Sequence, residues 1–271
     1  MFSNKLLFVV LSFLSSVTLF ELDFPSFPTI EDLIYGPTPF DDRIVGGKEA
    51  NIEDHPYQVS FVVNNSYFCG GFIVSENYIL TAAHCAQNVD PSTVVLRAGS
   101  SWRNNGTVIP ISEVIPHPQY DSPEFDKDVA VMKTAEPIEF TDTIQPINLP
   151  KRGAPIQDNS IVMVSGWGRT EQGASSIPER LMDVEIPVVP YWQCYAVYST
   201  VLTINMWCGG NFVFGGKGTC QGDSGGAAIQ DGMVLGIVSF GRGCGQPFSP
   251  SVFAYVAAPT IRDFVAEHTG L

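Results

Sequence analysis

Three short segments carry side chains that could together perform acyl transfer: Gly222-Asp223-Ser224-Gly225-Gly226, Thr81-Ala82-Ala83-His84-Cys85 and Asp128-Val129-Ala130-Val131. A serine hydroxyl is a poor nucleophile at neutral pH. It needs an imidazole to take its proton and a carboxylate to orient that imidazole. Ser224 sits among glycines for a physical reason. The backbone N–H groups of Gly222 and Ser224 would converge on a developing oxyanion, and a side chain there would block the substrate carbonyl. One such donor is worth about 3–4 kcal/mol of barrier. His84 follows the apolar run Tyr78-Ile79-Leu80, and Cys85 would pin it beside another strand. The other histidines read as turn or surface residues: His55 and His117 each precede a proline, and His268 lies near the chain end. Asp128 opens an apolar strand that would bury its carboxylate against the imidazole, whereas Asp121 and Asp126 read as solvated charges in a polar loop.

The same serine also matches G-x-S-x-G, the nucleophile elbow of α/β-hydrolases. There the acid and the histidine follow the serine in the chain. Here only His268 does, three residues from the end, and no alternating strand–helix pattern surrounds it. The elbow is therefore rejected.

The order His84, Asp128, Ser224, together with Arg43-Ile44-Val45-Gly46-Gly47, resembles the chymotrypsin/trypsin family of secreted serine endopeptidases. The resemblance runs from Ile44 to about Thr269. It implies an all-β fold of two six-stranded antiparallel β-barrels with a C-terminal α-helix and the site between the barrels. It implies His84 as base, Asp128 as its orienting acid, Ser224 as nucleophile, and the N–H groups of Gly222 and Ser224 as oxyanion hole. Cleavage after Arg43 would free the α-amino group of Ile44 to pair with Asp223. Ile44 and Val45 supply an apolar plug, and Gly46-Gly47 lets the chain turn inward.

Aligning on Ser224 and Cys244 puts Gly218 at the base of the S1 pocket, Thr219 beside it, Ser239-Phe240-Gly241 along the wall and Ser251 near the base. A trypsin-like member carries aspartate at the Gly218 position. Without a carboxylate there, desolvating a Lys or Arg side chain is unfavourable. A chymotrypsin-like preference for large apolar or aromatic P1 residues is expected, with an elastase-like preference for smaller ones as the alternative. Phe240 and Ala227 depart from the tryptophan and proline usual in the family.

The chain has 271 residues, 45% hydrophobic and 15% charged, enough for a substantial core. Residues 1–20 read as a signal peptide, with Lys5 before the apolar run Leu6–Leu14, which is too short for a membrane span. Residues 21–43, with six acidic residues and four prolines, read as an activation propeptide, and 44–271 as the protease domain. That assignment makes the protein secreted and extracellular. Six cysteines then allow about 15 pairings. The resemblance selects the invertebrate-type set Cys69–Cys85, Cys194–Cys208 and Cys220–Cys244. Asn64 and Asn105 open N-x-[ST] sequons in expected hairpin loops. No metal or other cofactor is expected: no C-x-x-C spacing is present, and the loop Arg97–Ser112 lacks the acidic pair of calcium-binding members.

Residues 44–271 carry 12 basic and 22 acidic residues, which argues against nucleic acid and anionic membrane as partners. Partners expected are protein or peptide substrates, an activating trypsin-like protease and protein inhibitors, with the enzyme a monomer. A non-catalytic relative acting as a binding protein is the alternative from another class, and such relatives usually lose a triad residue. Short apolar runs read as strands: Gln58–Val63, Phe72–Val74, Val94–Leu96, Val129–Met132, Ile161–Val164 and Val234–Phe240. Pro259, Ile261, Phe264, Val265 and Gly270 mark a C-terminal helix, and a short helix is expected near Pro190–Val197.

Overall fold

The computed structural model describes residues 44–63, 66–121 and 123–271. The signal peptide, the propeptide with Arg43, and Asn64 lie outside these residues.

Two antiparallel sheets dominate. A two-residue strand, β1 (Lys48–Glu49), precedes a first set: β2 (Gln58–Val63), β3 (Ser66–Ile73), β4 (Tyr78–Thr81), β5 (Val94–Ala98), β6 (Thr107–Ile109), β7 (Ile111–Pro116) and β8 (Ala130–Thr134). The second set is β9 (Ile161–Gly166), β10 (Met182–Val189), β11 (Met206–Gly209), β12 (Ala227–Gln230), β13 (Met233–Phe240) and β14 (Ser251–Tyr255). Helices are few: α1 (Ala83–Ala86), α2 (Tyr191–Tyr198) and α3 (Pro259–Thr269).

In the second set the order β10-β11-β14-β13-β12-β9 returns on itself, because β9 also pairs with β10. This is a closed six-stranded barrel, with β1 added on β10. In the first set the order is β6-β5-β2-β3-β4-β8-β7. Its two ends flank Pro110. β6 pairs with β5 and β7 pairs with β8, so the sheet meets itself at a residue with no N–H to give. The six-stranded expectation counts this interrupted strand as one.

The local chemistry of each element is ordinary. β2 is almost wholly buried and sits mid-sheet between β3 and β5; its polar Gln58 and Ser60 are buried too and are hydrogen-bonded, Gln58 Oε1 by the Ser165 hydroxyl and the Ser60 hydroxyl to the Arg103 carbonyl. Helix α3 begins with Pro259 and ends at Gly270, whose φ of 73° closes the last turn. Its Ile261, Phe264 and Val265 pack into the core cluster that also holds Phe61, Leu80 and Met132 of the first barrel. The chain's last helix thereby binds the barrel that comes first in sequence. A second cluster, with Ile44, Val164, Ile186 and Phe253, fills the other barrel.

Three disulfides form, Cys69–Cys85, Cys194–Cys208 and Cys220–Cys244, the pairing the family resemblance implied. Crosslinks of this kind typically stabilise by about 2–4 kcal/mol each. Among the described residues, no helix is long and apolar enough to cross a membrane.

Candidate active site

The first barrel supplies His84 and Asp128. β4 ends at Thr81, and His84 lies in the single turn α1 that follows. Asp128 precedes β8, which pairs with β4 in register Thr81 to Ala130. That pairing brings two residues 44 apart in sequence into contact. Asp128 Oδ2 lies 2.7 Å from His84 Nδ1, and Oδ1 accepts the His84 backbone N–H at 2.9 Å. The carboxylate is 1% exposed, while the imidazole keeps 30% exposure, so one edge of the ring is free to meet a substrate. A carboxylate on Nδ1 leaves Nε2 as the proton acceptor.

A third donor reaches the same carboxylate. The Ser239 hydroxyl, 111 residues further on, donates to Asp128 Oδ2 at 2.5 Å. Sequence reasoning gave Ser239 a place in the expected pocket wall with Phe240 and Gly241 and did not foresee that its side chain bonds the Asp128 carboxylate. Only the β13 register could have revealed this.

The second barrel supplies Ser224 on the loop between Cys220 and β12. Ser224 is partly exposed, and its carbonyl accepts the Gly70 N–H of β3 at 2.8 Å, a bond between the barrels. Gly225 (φ 80°) makes the close approach possible. A Cβ there would lie 2.2 Å from Thr81 Oγ1 and 3.1 Å from Ala82 N, the residues leading into His84. This glycine seats the serine loop against the histidine turn.

Beside the serine, Asp223 is 1% exposed. Its Oδ1 accepts the Gly168 N–H at 2.8 Å and its Oδ2 the Cys220 N–H at 2.9 Å. Burial pushes the carboxyl up to about 7 from an ordinary 3.8, against those two donors. Gly166 and Gly168 wall it in, since a Cβ at either would fall 2.5 Å or less from its carboxyl group. Of the two residues expected to form the apolar plug, Ile44 is fully buried in the same barrel, and the Val45 carbonyl accepts the Gly218 N–H at 3.3 Å.

Around Gly218, expected at the base of the pocket, the atoms nearest an added Cβ would be Gly245 Cα at 3.3 Å, Gly245 N at 3.4 Å and Ser251 Oγ at 3.4 Å. Thr219 donates to Ser251 Oγ through both its N–H (3.1 Å) and its hydroxyl (2.8 Å). Hydroxyls and backbone therefore surround Gly218. Phe240 stacks on Phe125 with centroids 4.5 Å apart and meets Tyr198 edge-on.

Two expectations outside the triad need correction. Asp126 is 3% exposed, not solvated. It accepts from Lys127 Nζ, Thr203 Oγ1 and Asn205 Nδ2. Burial pushes its carboxyl up, but those three donors outweigh it and hold it below the usual range. His55 and His117 are also buried. His55 is held between Tyr57 Oη and Asp183 Oδ2, each 3.0 Å away. His117 Nδ1 accepts the Gln119 N–H, and its ring lies 4.7 Å from that of Phe264. One partner of each is distant, Asp183 of β10 for His55 and Phe264 of α3 for His117, which a proline-adjacent histidine does not advertise. Asn105 is exposed in a turn closed by its N–H on Trp102 O. Among the described residues, the cluster of potential metal ligands Cys69, His84 and Cys85 has both sulfurs committed to a disulfide.

Residues 44–265 match the family model described as Trypsin. The chain is 39% identical over 231 residues to a trypsin of Phaedon cochleariae, covering 84% of this chain and 88% of the relative. It is 40% identical over 232 residues to Trypsin 5G1 of Aedes aegypti, covering 84% and 86%. To the vitellin-degrading protease of Bombyx mori it is 36% identical over 231 residues, covering 84% and 86%. Matched along most of its length and folded as two β-barrels, this chain belongs to the trypsin family and is a serine endopeptidase.

Proposed function

We propose that the protein is a secreted zymogen, cut after Arg43, whose mature form 44–271 cleaves peptides after large apolar or aromatic residues. Ser224 attacks the scissile carbonyl and His84 Nε2 takes its proton, while Asp128, held by Ser239, fixes the tautomer and steadies the imidazolium. The N–H groups of Gly222 and Ser224 receive the oxyanion. His84 then protonates the leaving amine, and water repeats the sequence on the acyl-enzyme.

The observation that carries the activation step is Asp223. A buried carboxylate with two N–H donors and a pKa raised to about 7 is a site that a cation would stabilise. The Ile44 ammonium, released by cleavage in the same barrel, supplies that cation.

The observation that carries P1 preference is the pocket base of Gly218, Thr219 and Ser251. The names of the relatives favour a tryptic reading. An arginine entering this pocket would meet hydroxyls and no carboxylate at the Gly218 position, at a penalty of several kcal/mol. An elastase-like preference is not favoured, because Gly218 and Gly241 add no bulk. The test is a P1 profile of the activated enzyme on a peptide library. Phe, Tyr, Leu and Met should lead; leading Arg and Lys would refute the pocket assignment. Asn105 is the better glycosylation candidate of the two sequons, and mass spectrometry of the secreted protein checks it.

A further inference from the structure

The peptide groups on either side of Gly222 are both held. The Gln221 carbonyl accepts the Arg169 N–H at 2.8 Å. In a trans peptide the N–H points opposite the carbonyl, so this bond directs the Gly222 N–H the other way. The Gly222 carbonyl, on the next peptide, accepts the Tyr67 hydroxyl at 2.7 Å. Between the two planes Gly222 sits at φ 100°, which only glycine takes readily.

Tyr67 belongs to β3 of the first barrel, and Gly222 lies on the serine loop of the second. The Arg169 bond comes from the same barrel as the loop it holds; the hydroxyl comes from the opposite one. The phenol is itself constrained. Its ring meets Trp167 edge-on at 6.2 Å, the Arg103 guanidinium lies over it at 5.4 Å, and its Cε1 would be 3.4 Å from a Cβ on Gly222. Burial and then the nearby Asp223 carboxylate push the phenol well above the usual tyrosine range. It therefore remains protonated and donates throughout the working pH range.

We infer that Tyr67 is a positioning residue that locks the oxyanion loop across the barrel interface, through its hydroxyl on the Gly222 carbonyl. Without it the 222–223 peptide keeps only the Asp223 N–H bond to the Cys220 carbonyl at 3.1 Å, a bond within its own loop, so the backbone at Gly222 is less constrained and its N–H spends less time aimed at the oxyanion. The effect falls on transition-state stabilisation and not on ground-state binding. This rests on the assignment of Gly222 as an oxyanion donor.

The test is Tyr67→Phe in the activated enzyme, which keeps the ring against Trp167 and removes one oxygen. Affinity is measured for a peptide boronate, whose tetrahedral adduct places an oxygen in the hole, and for the corresponding peptide amide, which forms no adduct. The expected result is a fall in kcat of about tenfold, a parallel fall in boronate affinity, and unchanged KM and amide affinity. A second hydroxyl-free variant, Tyr67→Met, must show the same selective loss at whatever melting temperature it has. Equal boronate affinity in wild type and both variants overturns the inference, as does a loss shared equally by boronate and amide. If the wild-type enzyme binds the boronate no better than the amide, the oxyanion-hole assignment itself has failed, and the role of Tyr67 falls with it.

Discussion

The two barrels contribute to one site in different ways. The first delivers His84 and Asp128 from the ends of paired strands, with the carboxylate already bonded twice to the histidine. The second delivers Ser224, Gly222 and Asp223 on a loop, shaped by positive-φ glycines and anchored at a buried carboxylate held by two N–H groups. A ladder is stabilised by its own backbone; a loop depends on its neighbours. The base half of the machinery is therefore built in by folding, and the nucleophile half is where the proposed processing after Arg43 would act.

Ser224→Ala breaks the second half at its reacting atom. We expect kcat to fall about 10⁶-fold with an unchanged melting profile. A tenth of wild-type turnover in a purified sample would contradict the nucleophile assignment.

Asp223→Asn sharpens the comparison. The amide keeps the size but gives the freed Ile44 ammonium no charge to meet. After cleavage at Arg43, kcat should be at least a hundredfold below wild type, while the His84–Asp128 couple is untouched. Trypsin-treated variant with full activity would remove Asp223 from the switch.

The barrels should also answer to pH with opposite signs. Asp223, raised to about 7 by burial, binds its proton more tightly folded than unfolded. The uncleaved protein should gain stability as pH falls from above 7 toward 4, by up to about 4 kcal/mol, and Asp223→Asn should abolish that slope. Asp126 is held low by Lys127, Thr203 and Asn205 despite its burial. Its contribution is present above the ordinary aspartate pKa near 3.8 and is lost as pH falls through its lower folded value. Denaturant titrations between pH 3 and 8 on wild type, Asp223→Asn and Asp126→Asn separate the two.

The smallest effect is expected at the Arg152–Asp263 pair, which ties the chain between the barrels to α3 with both side chains 58% exposed. Arg152→Ala should leave stability almost unchanged, because an exposed pair is screened by solvent. A larger loss on urea unfolding would mean that this surface pair holds the barrels together.

The sequence exposed some of this architecture directly. β2 was legible at its true bounds because its buried run is flanked by turn residues, and α3 because proline, a three-four apolar spacing and glycine mark its start, face and end. β10 was missed although its period is legible: Met182, Val184, Ile186 and Val188 alternate with Asp183, Glu185 and Pro187, and a search for continuous apolar runs passes over such a strand. His55 and Asp126 were misplaced for one shared reason. Each has a hydrogen-bond partner far away in the sequence, Asp183 for His55 and Thr203 and Asn205 for Asp126, and no local spacing encodes such a bond. The three segments carrying His84, Asp128 and Ser224 were conspicuous because their glycines, small residues and apolar flanks answer to local backbone demands.

The central claim is that the second barrel's half of the site is completed by the new amino terminus at Ile44. It is tested most directly by reacting pure zymogen with a fluorophosphonate before and after limited trypsin cleavage, then mapping both the label and the N-terminus by mass spectrometry. The account predicts slow or no labelling of the intact chain and rapid labelling of Ser224 in the chain that begins at Ile44. Labelling of Ser224 at the same rate in the intact chain would contradict it.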